Sequence, residues 1–445
     1  MTSFPARAAL VCAVLVVYVA ALAGPFHFDD WWSVVGDARG HSLAAWWQAQ
    51  PGIRPLLKLV NTLNWLASPT PAAFRAVNIA IHAGATLALW TLLRAWVPRL
   101  APRCVRPEAA AFLAASLFAL HPAATEAVAY VSGRSIALST ALVFAALVAW
   151  SRGSRLGTVA FVAAVLVRET AIVAPVAWWL LARCGGLDAR AALAPLRPLV
   201  WLLPLVALAA WLTPGYHSFF GWSLQTRGLG AQLLGQLEAH AYLLTGPLPG
   251  RVLDIDPDVR VPAAFAPRHV MVVVAFIVAA VVAWRRRRTQ PWLAFVLGWY
   301  LLQLAPANSL LPRFDLANDR HLYAALPGPL LAVAVAVVAV PSRRLALGLA
   351  GLLALAAGAR TADRVADYRS EIALWTTTVA TSPAKARPWT NLGFARREAG
   401  DVPGARHAFR CALALDPEYA PAAWNLAALG RDGPVRPVPR CPAAP

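Results

Sequence analysis

Apolar runs recur along most of the chain, near residues 8–23, 76–97, 109–120, 136–150, 156–167, 171–182, 199–213, 269–284, 291–305, 322–340 and 345–359. None alternates apolar and polar positions as a barrel strand must. The longest approach the ~20 residues that carry a helix across a bilayer. The pattern predicts an all-α polytopic membrane protein of about eleven transmembrane helices. The fifth and sixth runs are the shortest and meet at Arg168-Glu169-Thr170, which predicts a hairpin whose tip stays partly within the membrane. Arg7, the first run and Ala21-Leu22-Ala23 resemble a cleavable signal peptide, but with so many runs following, this segment is read as an uncleaved first span.

Polar residues orient the spans. Arg7, Arg99, Arg103, Arg106, Arg152, Arg155, Arg183, Arg190, Arg197, Arg285 to Arg288, Arg343 and Arg344 all fall on one side, which is therefore cytoplasmic. A further span at 231–247 would send Arg285–Arg288 outside, so that stretch is read as an interfacial helix in a long external loop. The cytoplasmic loops hold only Glu108 and Asp188, whereas Asp29, Asp30, Asp37, Glu126, Glu238, Asp254, Asp256, Asp258, Asp315 and Asp319 share the opposite face. A site is expected there.

Composition agrees. The chain is 59% hydrophobic and 14% charged, against about 25% charged in a soluble domain. A net charge of +19 would suit a nucleic-acid partner, but the positives are arginines in loops between apolar runs, so membrane lipid is the partner and nucleic acid is not. Cys12, Cys104, Cys184, Cys411 and Cys441 show no metal-ligand spacing. Cys411 and Cys441 either pair in an oxidising compartment or are a buried helix cysteine and a loose tail thiol.

After the last span a 34-residue period appears. Trp389, Leu392, Gly393, Ala405, Phe409, Ala412 and Pro417 fit the tetratricopeptide pattern, with Arg396 at its Tyr position. Trp375 and Pro383 echo it one period earlier, and Asn425-Leu426-Ala427 one period later. Residues 1–359 are thus expected to form the membrane domain, 360–429 a short α-solenoid and 430–445 a disordered Pro-rich tail.

Four external clusters can carry chemistry. Asp29-Asp30, flanked by aromatics, reads either as a general base with a helper or as a polar stop with interfacial tryptophans. Arg75, Asn78 and His82 form a polar stripe entering the second span, facing a cavity or serving as helix-packing glue. His121 and Glu126, around Pro122, either share a metal or bind an acceptor. Asn318 is placed as an N-cap, which puts Arg320 in a first helical turn suited to phosphate, with an Asp319–Arg320 structural pair as the alternative.

In order, the chain carries Asp29-Asp30, Arg54-Pro55-Leu56, Arg75-x-x-Asn78-x-x-x-His82, Leu120-His121-Pro122-x-x-Thr125-Glu126, Gly133-Arg134, Arg168-Glu169-Thr170 and Asp319-Arg320-His321-Leu322-Tyr323. Together with the repeats, this resembles the transmembrane and tetratricopeptide-repeat O-mannosyltransferases and their bacterial relatives, polyprenyl-phosphate-dependent glycosyltransferases of the C-type fold. Arg168 stands where the family usually has Lys, and the repeat array is shorter than in animal members. The resemblance implies an eleven-helix domain with its site on the external face of a bacterial inner membrane and the repeat tail in the periplasm. It implies inverting transfer of a sugar from a polyprenyl-phosphate-linked donor to a protein or glycan hydroxyl. Asp29 would be the base and Asp30 its helper. Arg320 would hold the donor phosphate with Arg168 or Arg75, and His121, Glu126, Arg134, Glu169, His82 and Tyr323 would shape the cavity. No cofactor beyond the lipid-linked co-substrate is implied, and a divalent cation at the carboxylate pair stays open. The repeat groove would take a protein partner. The rival readings are a non-catalytic scaffold presenting its repeats and a lipid-linked sugar transporter or flippase.

Overall fold

A computed structural model describes residues 3–50, 52–245, 253–430 and 441. Among these residues every regular element is helical. Five helices are long and apolar enough to cross a membrane: Phe4–Ala23, Pro71–Leu100, Val131–Ser151, Pro267–Arg286 and Arg343–Asp367. The number rises to eight if each of three bent helix pairs counts as one span. Three further apolar runs form Leu156–Val167, Ala174–Cys184 and Pro291–Leu304, of 12, 11 and 14 residues. At ~1.5 Å per residue these are too short to cross ~30 Å of hydrocarbon unaided. The sixth run was expected to turn helical at 171, but Glu169–Val173 is a 3₁₀ turn and the α-helix starts at Ala174, with Pro175 in its first turn.

Two of the bent pairs matter for function. Pro107–Leu120 turns by 53° into Pro122–Ala129, and Asp319–Ala325 turns by 61° into Pro327–Val338. Pro122 disfavours helical geometry at the residue before it, and His121 is accordingly extended, with ψ 129°. Pro327 lacks the N–H that would continue its helix. Each break turns a short helical segment out of line with its span, and these segments carry the two motifs richest in polar residues.

Around the breaks, close packing rests on small side chains. Ala110, Ala111, Ala114, Ala115 and Ala119 are fully buried on Pro107–Leu120, which lets neighbouring backbones approach in the manner of membrane helix interfaces. A Cβ on Gly133 would sit 2.2 Å from the Glu126 carbonyl oxygen, and one on Gly24 would sit 2.2 Å from that of Tyr368. The stretch expected at 231–247 forms Leu229–Thr245 and packs along Pro267–Arg286, its last two expected residues lying outside the described ones.

Beyond the long Arg343–Asp367 helix, Glu371–Thr381, Ala386–Glu398, Val402–Leu415 and Ala420–Ala428 follow, each packed on the next. Gly393 lies under the Phe409 ring, which leaves no room for a Cβ. Cys411 and Cys441 are joined as a disulfide, so the reading of an unpaired tail thiol is corrected. The rest of 431–445, expected to be disordered, lies outside the described residues.

Gly133→Ala should therefore destabilise the protein by about 1–3 kcal/mol, the usual cost of overpacking. Gly84→Ala, where a Cβ meets nothing within 4 Å, should be neutral or slightly stabilising. Thermal unfolding of both variants in the same detergent compares them, and equal melting temperatures would show that the Gly133 contact is not tight.

Candidate active site

The chain leaves the first span at Gly24 and is caught at once by Arg75. Its Nε donates to the Ala129 carbonyl at 2.7 Å, and its two Nη groups donate to the carbonyls of Gly24 and Pro25. Arg75 is fully buried, so its expected role on a donor phosphate is corrected: its donors hold the loop after the first span in place. The rest of the stripe is engaged in the same way. Asn78 donates to the carbonyls of Val128 and Tyr130, both at 3.2 Å, and His82 bonds Tyr323 Oη at 2.8 Å and the Ala119 carbonyl at 3.2 Å. The buried Arg134 donates to Asn78, Asn61, Asn64 and the Phe74 carbonyl at 2.7–2.9 Å. Of the expected cavity residues, His82, Arg134 and Tyr323 are thus internal supports.

What this scaffold positions is the carboxylate pair, and it splits the two. Phe28 has φ 42°, left-handed backbone in a bulky residue, a conformation costing on the order of 1–3 kcal/mol and concentrated at functional sites. The turn sends Asp30 inward and leaves Asp29 exposed. Asp30 Oδ1 accepts from the Ser132 amide at 2.8 Å and hydroxyl at 2.6 Å, and Oδ2 from the His27 amide at 3.1 Å. Burial pushes its carboxyl up to about 6, against the opposing pull of those donors and of His27. The Asp29 amide donates to Tyr130 Oη at 3.1 Å, which leaves the Asp29 carboxylate facing outward.

The two broken spans meet at Glu126 and Arg320. Glu126, 3% exposed, takes the Arg320 guanidinium at 3.1 Å and the Arg320 amide at 3.2 Å. Asn318 occupies the expected N-cap position, with Arg320 in the first turn, but its side chain does not cap. It reaches the Ile255 carbonyl, while Glu126 fills the place an anion would take on the exposed helix-end amide. The Asp319–Arg320 pair is corrected, because Asp319 accepts from Tyr242 Oη at 2.9 Å and the Asp254 amide at 2.7 Å. With 28% of its side chain exposed, Arg320 keeps an open edge. His121 uses Nδ1 to accept the Ala123 amide at 3.1 Å, while Glu126 is engaged by Arg320.

Further basic groups surround Arg320. Arg54, also left-handed at φ 55°, forms a two-pronged pair with Glu169 at 2.9 and 2.7 Å. Arg313 approaches Glu169 at 4.0 Å, and Arg168 donates to Ser135 Oγ at 2.9 Å. Arg168 lies within electrostatic reach of Arg54, Arg313 and Arg320. Four guanidinium groups thus cluster around Glu169 and Glu126, and Arg320 also lies within electrostatic reach of Asp29 and Asp315. Beside them lies a small cavity of about 30 Å³, lined by Arg168, His321, Gln303, Ser139 and Thr140. Arg168 Nε, His321 Nδ1 and Gln303 Nε2 are buried there without a hydrogen-bond partner. Buried orphan polar groups cost free energy unless something bonds them. Tyr130, Arg54 and Arg313 were not singled out from sequence as site residues. Arg54 stood in the quoted Arg-Pro-Leu motif, but Tyr130 and Arg313 carried no local signal. Among the described residues, the one group of three His, Cys, Asp or Glu side chains close enough to share a metal is His407, Cys411 and Cys441, and the Cys411–Cys441 disulfide leaves no thiolate there to bind one.

Because its folded pKa is raised, Asp30 stabilises the fold most below about pH 4 and loses that contribution as pH rises through about 6. Asp30→Asn does not titrate. Relative to that variant, the wild type should therefore lose stability between pH 4 and 7, by at most roughly 3 kcal/mol for a shift of about two units. Melting curves across that range measure it, and a constant difference would place Asp30 in solvent.

No protein-family profile and no solved structure matches the chain. Over 171 residues, 35% of its length, it is 32% identical to the protein O-mannosyl-transferase TMTC1 of Homo sapiens. It is 34% identical over 163 residues to the Tmtc1 protein of Drosophila melanogaster, and 32% identical over 164 residues to that of Mus musculus. The matched stretch spans less than a fifth of each relative, 19%, 17% and 17% of their lengths. About a third of this multi-helix, membrane-type chain is thus similar to proteins named as O-mannosyl-transferases.

Proposed function

We propose that the chain is an integral-membrane glycosyltransferase that moves a sugar, with mannose the first choice, from a polyprenyl-phosphate donor to a hydroxyl group on the extracytoplasmic face. The observation that carries this reading is the placement of an exposed carboxylate, Asp29, within electrostatic reach of Arg320 at the edge of an arginine cluster. The similarity to O-mannosyl-transferases supports the reaction class. Residues 1–359 form the catalytic membrane domain in this reading, and the helices of 360–429 form a tetratricopeptide-type unit that receives a protein acceptor.

Each group has a chemical task. Arg320, with Arg168 and Arg313 behind it, neutralises the donor phosphate, and Arg54 and Glu169 hold that cluster in shape. As the acceptor oxygen attacks the sugar C1, the C1–O bond to phosphate breaks and its electron pair stays on the phosphate, where fixed guanidinium groups stabilise it. Asp29 takes the hydroxyl proton. Attack opposite the leaving phosphate inverts C1. A phosphate leaving group neutralised in this way needs no strong general acid.

Asp29→Asn keeps size and most hydrogen bonding but removes the basic oxygen. Transfer of labelled sugar from a polyprenyl-phosphate donor, measured in membranes, should fall roughly 100- to 10,000-fold, with donor binding retained. Wild-type transfer by this variant would remove Asp29 from the reaction. Arg320→Lys loses the two-pronged grip on phosphate and should weaken donor binding with the protein still inserted. Unchanged donor affinity would move the phosphate to Arg168. The orientation is tested separately by reporter fusions, expected to score cytoplasmic after Arg288 and periplasmic after Gly430. A cytoplasmic score after Gly430 would put the repeats and the site on opposite sides.

A further inference from the structure

The helix Glu371–Thr381 touches both halves of the site, at opposite ends. At its start, Glu371 Oε1 bonds His27 Nδ1 at 2.6 Å, and His27 Nε2 bonds the carbonyl of Tyr368 at 2.9 Å. The His27 amide in turn donates to Asp30, and the Phe28 ring meets Trp375 edge-on at 5.3 Å. The Asp29 segment is thus fastened to one end of the helix.

At the other end, the hydroxyls of Thr381 and Ser382 both donate to Asp254 Oδ2, at 2.7 and 2.6 Å. The Asp254 main chain donates to Asp319, the residue before Arg320. Two residues further along this strap, the buried Asp256 is gripped by Lys385 and Arg387, which also reach Asp315. The strap of residues 254–256 therefore lies between the Arg320 loop and the C-terminal helices, bonded to both. Charge-assisted hydrogen bonds of this length are among the stronger ones.

We propose that Glu371–Thr381 is a brace that sets the spacing between Asp29 and Arg320, with Glu371, Ser382 and Asp254 as positioning residues for the transfer reaction. An 11-residue helix fixes its ends about 16 Å apart, and each end is fastened to a segment carrying one of the two reacting-group partners. A loop linking the same segments would let them drift, and displacement of an attacking group by an ångström is costly to rate. The C-terminal helices thereby serve the chemistry directly, apart from any part they play in receiving an acceptor. The inference rests on the function proposed above, but the brace itself is tested without it.

The test is amide hydrogen exchange on the full chain in lipid nanodiscs. Cutting one end, with Thr381→Val/Ser382→Ala or the gentler Ser382→Ala alone, should raise exchange several-fold in peptides covering 254–260 and 316–322 and leave 26–35 at the wild-type rate. Glu371→Ala should do the reverse. No change in either segment, or an even rise through all four C-terminal helices, would overturn the brace. If wild-type transfer is detectable, the two cuts should also split the kinetics. At the Thr381/Ser382 end, Ser382→Ala should raise KM for the polyprenyl-phosphate sugar about 5-fold, as loss of one hydrogen bond implies, and the double variant should raise it further, with kcat less affected. The Glu371 end should lower kcat with KM retained. Equal effects on both constants from both cuts would reduce the helix to general packing. Absence of wild-type transfer would count against the proposed function and leave the exchange result to decide the brace.

Discussion

The candidate site is organised by one join, between Glu126 on one broken span and Arg320 on another. The two residues are 194 positions apart and come from helices that a proline interrupts. Glu126 binds both the side chain and the main chain of Arg320, so it fixes where the guanidinium sits and which edge stays open. A charged pair so little exposed is stable only while both partners are present, and removing one typically costs about 3–5 kcal/mol. The Gly133 turn that crowds the Glu126 carbonyl, the Arg75 clamp on the loop before Asp29 and the strap below Asp319 all hold the segments that meet at this join.

Around that join the basic groups gather. Glu126 binds Arg320 and Glu169 binds Arg54, with Arg313 4.0 Å from Glu169 and Arg168 beside them, next to a cavity whose lining includes polar nitrogens with no hydrogen-bond partner among the described residues. A cluster of that kind favours an anion, and the polyprenyl phosphate of the proposed donor brings one to the membrane edge. Asp29 stands exposed at the edge of the cluster, one residue after the left-handed Phe28, while its neighbour Asp30 is buried and hydrogen-bonded. Two carboxylates adjacent in sequence thus have separate surroundings, one exposed and one buried where it holds the loop.

Much of this was legible beforehand because it depends on local sequence. Runs of apolar residues predicted an all-helical membrane protein, and the His-Pro break at 121–122 and the aspartates at 29–30 stood out by composition alone. Partner choice was not legible. Arg75, Arg134 and Arg320 look alike in a string of letters, yet the first two donate to backbone carbonyls and asparagines inside the fold, and only the third keeps an open edge. Asn318 had the right type for a cap, but Glu126, brought in from a distant segment, supplied a charged acceptor that outcompetes a neutral amide. The apolar pattern reads the long and the short runs alike, whereas in the fold Leu156–Val167 and Pro291–Leu304 are shorter than the five helices long enough to cross a membrane. Nothing in the sequence linked the C-terminal helices to the site, because that link runs through hydroxyls and a strap with no motif of its own.

The most direct test is a structure of the protein in lipid nanodiscs with a polyprenyl-phosphate sugar bound. Phosphate density is expected against the open edge of Arg320, within reach of Arg168 or Arg313, with the sugar C1 turned toward Asp29. Phosphate bound at Arg285–Arg288 or another distant arginine group, or a sugar facing away from Asp29, would contradict the site and the reaction assigned to it.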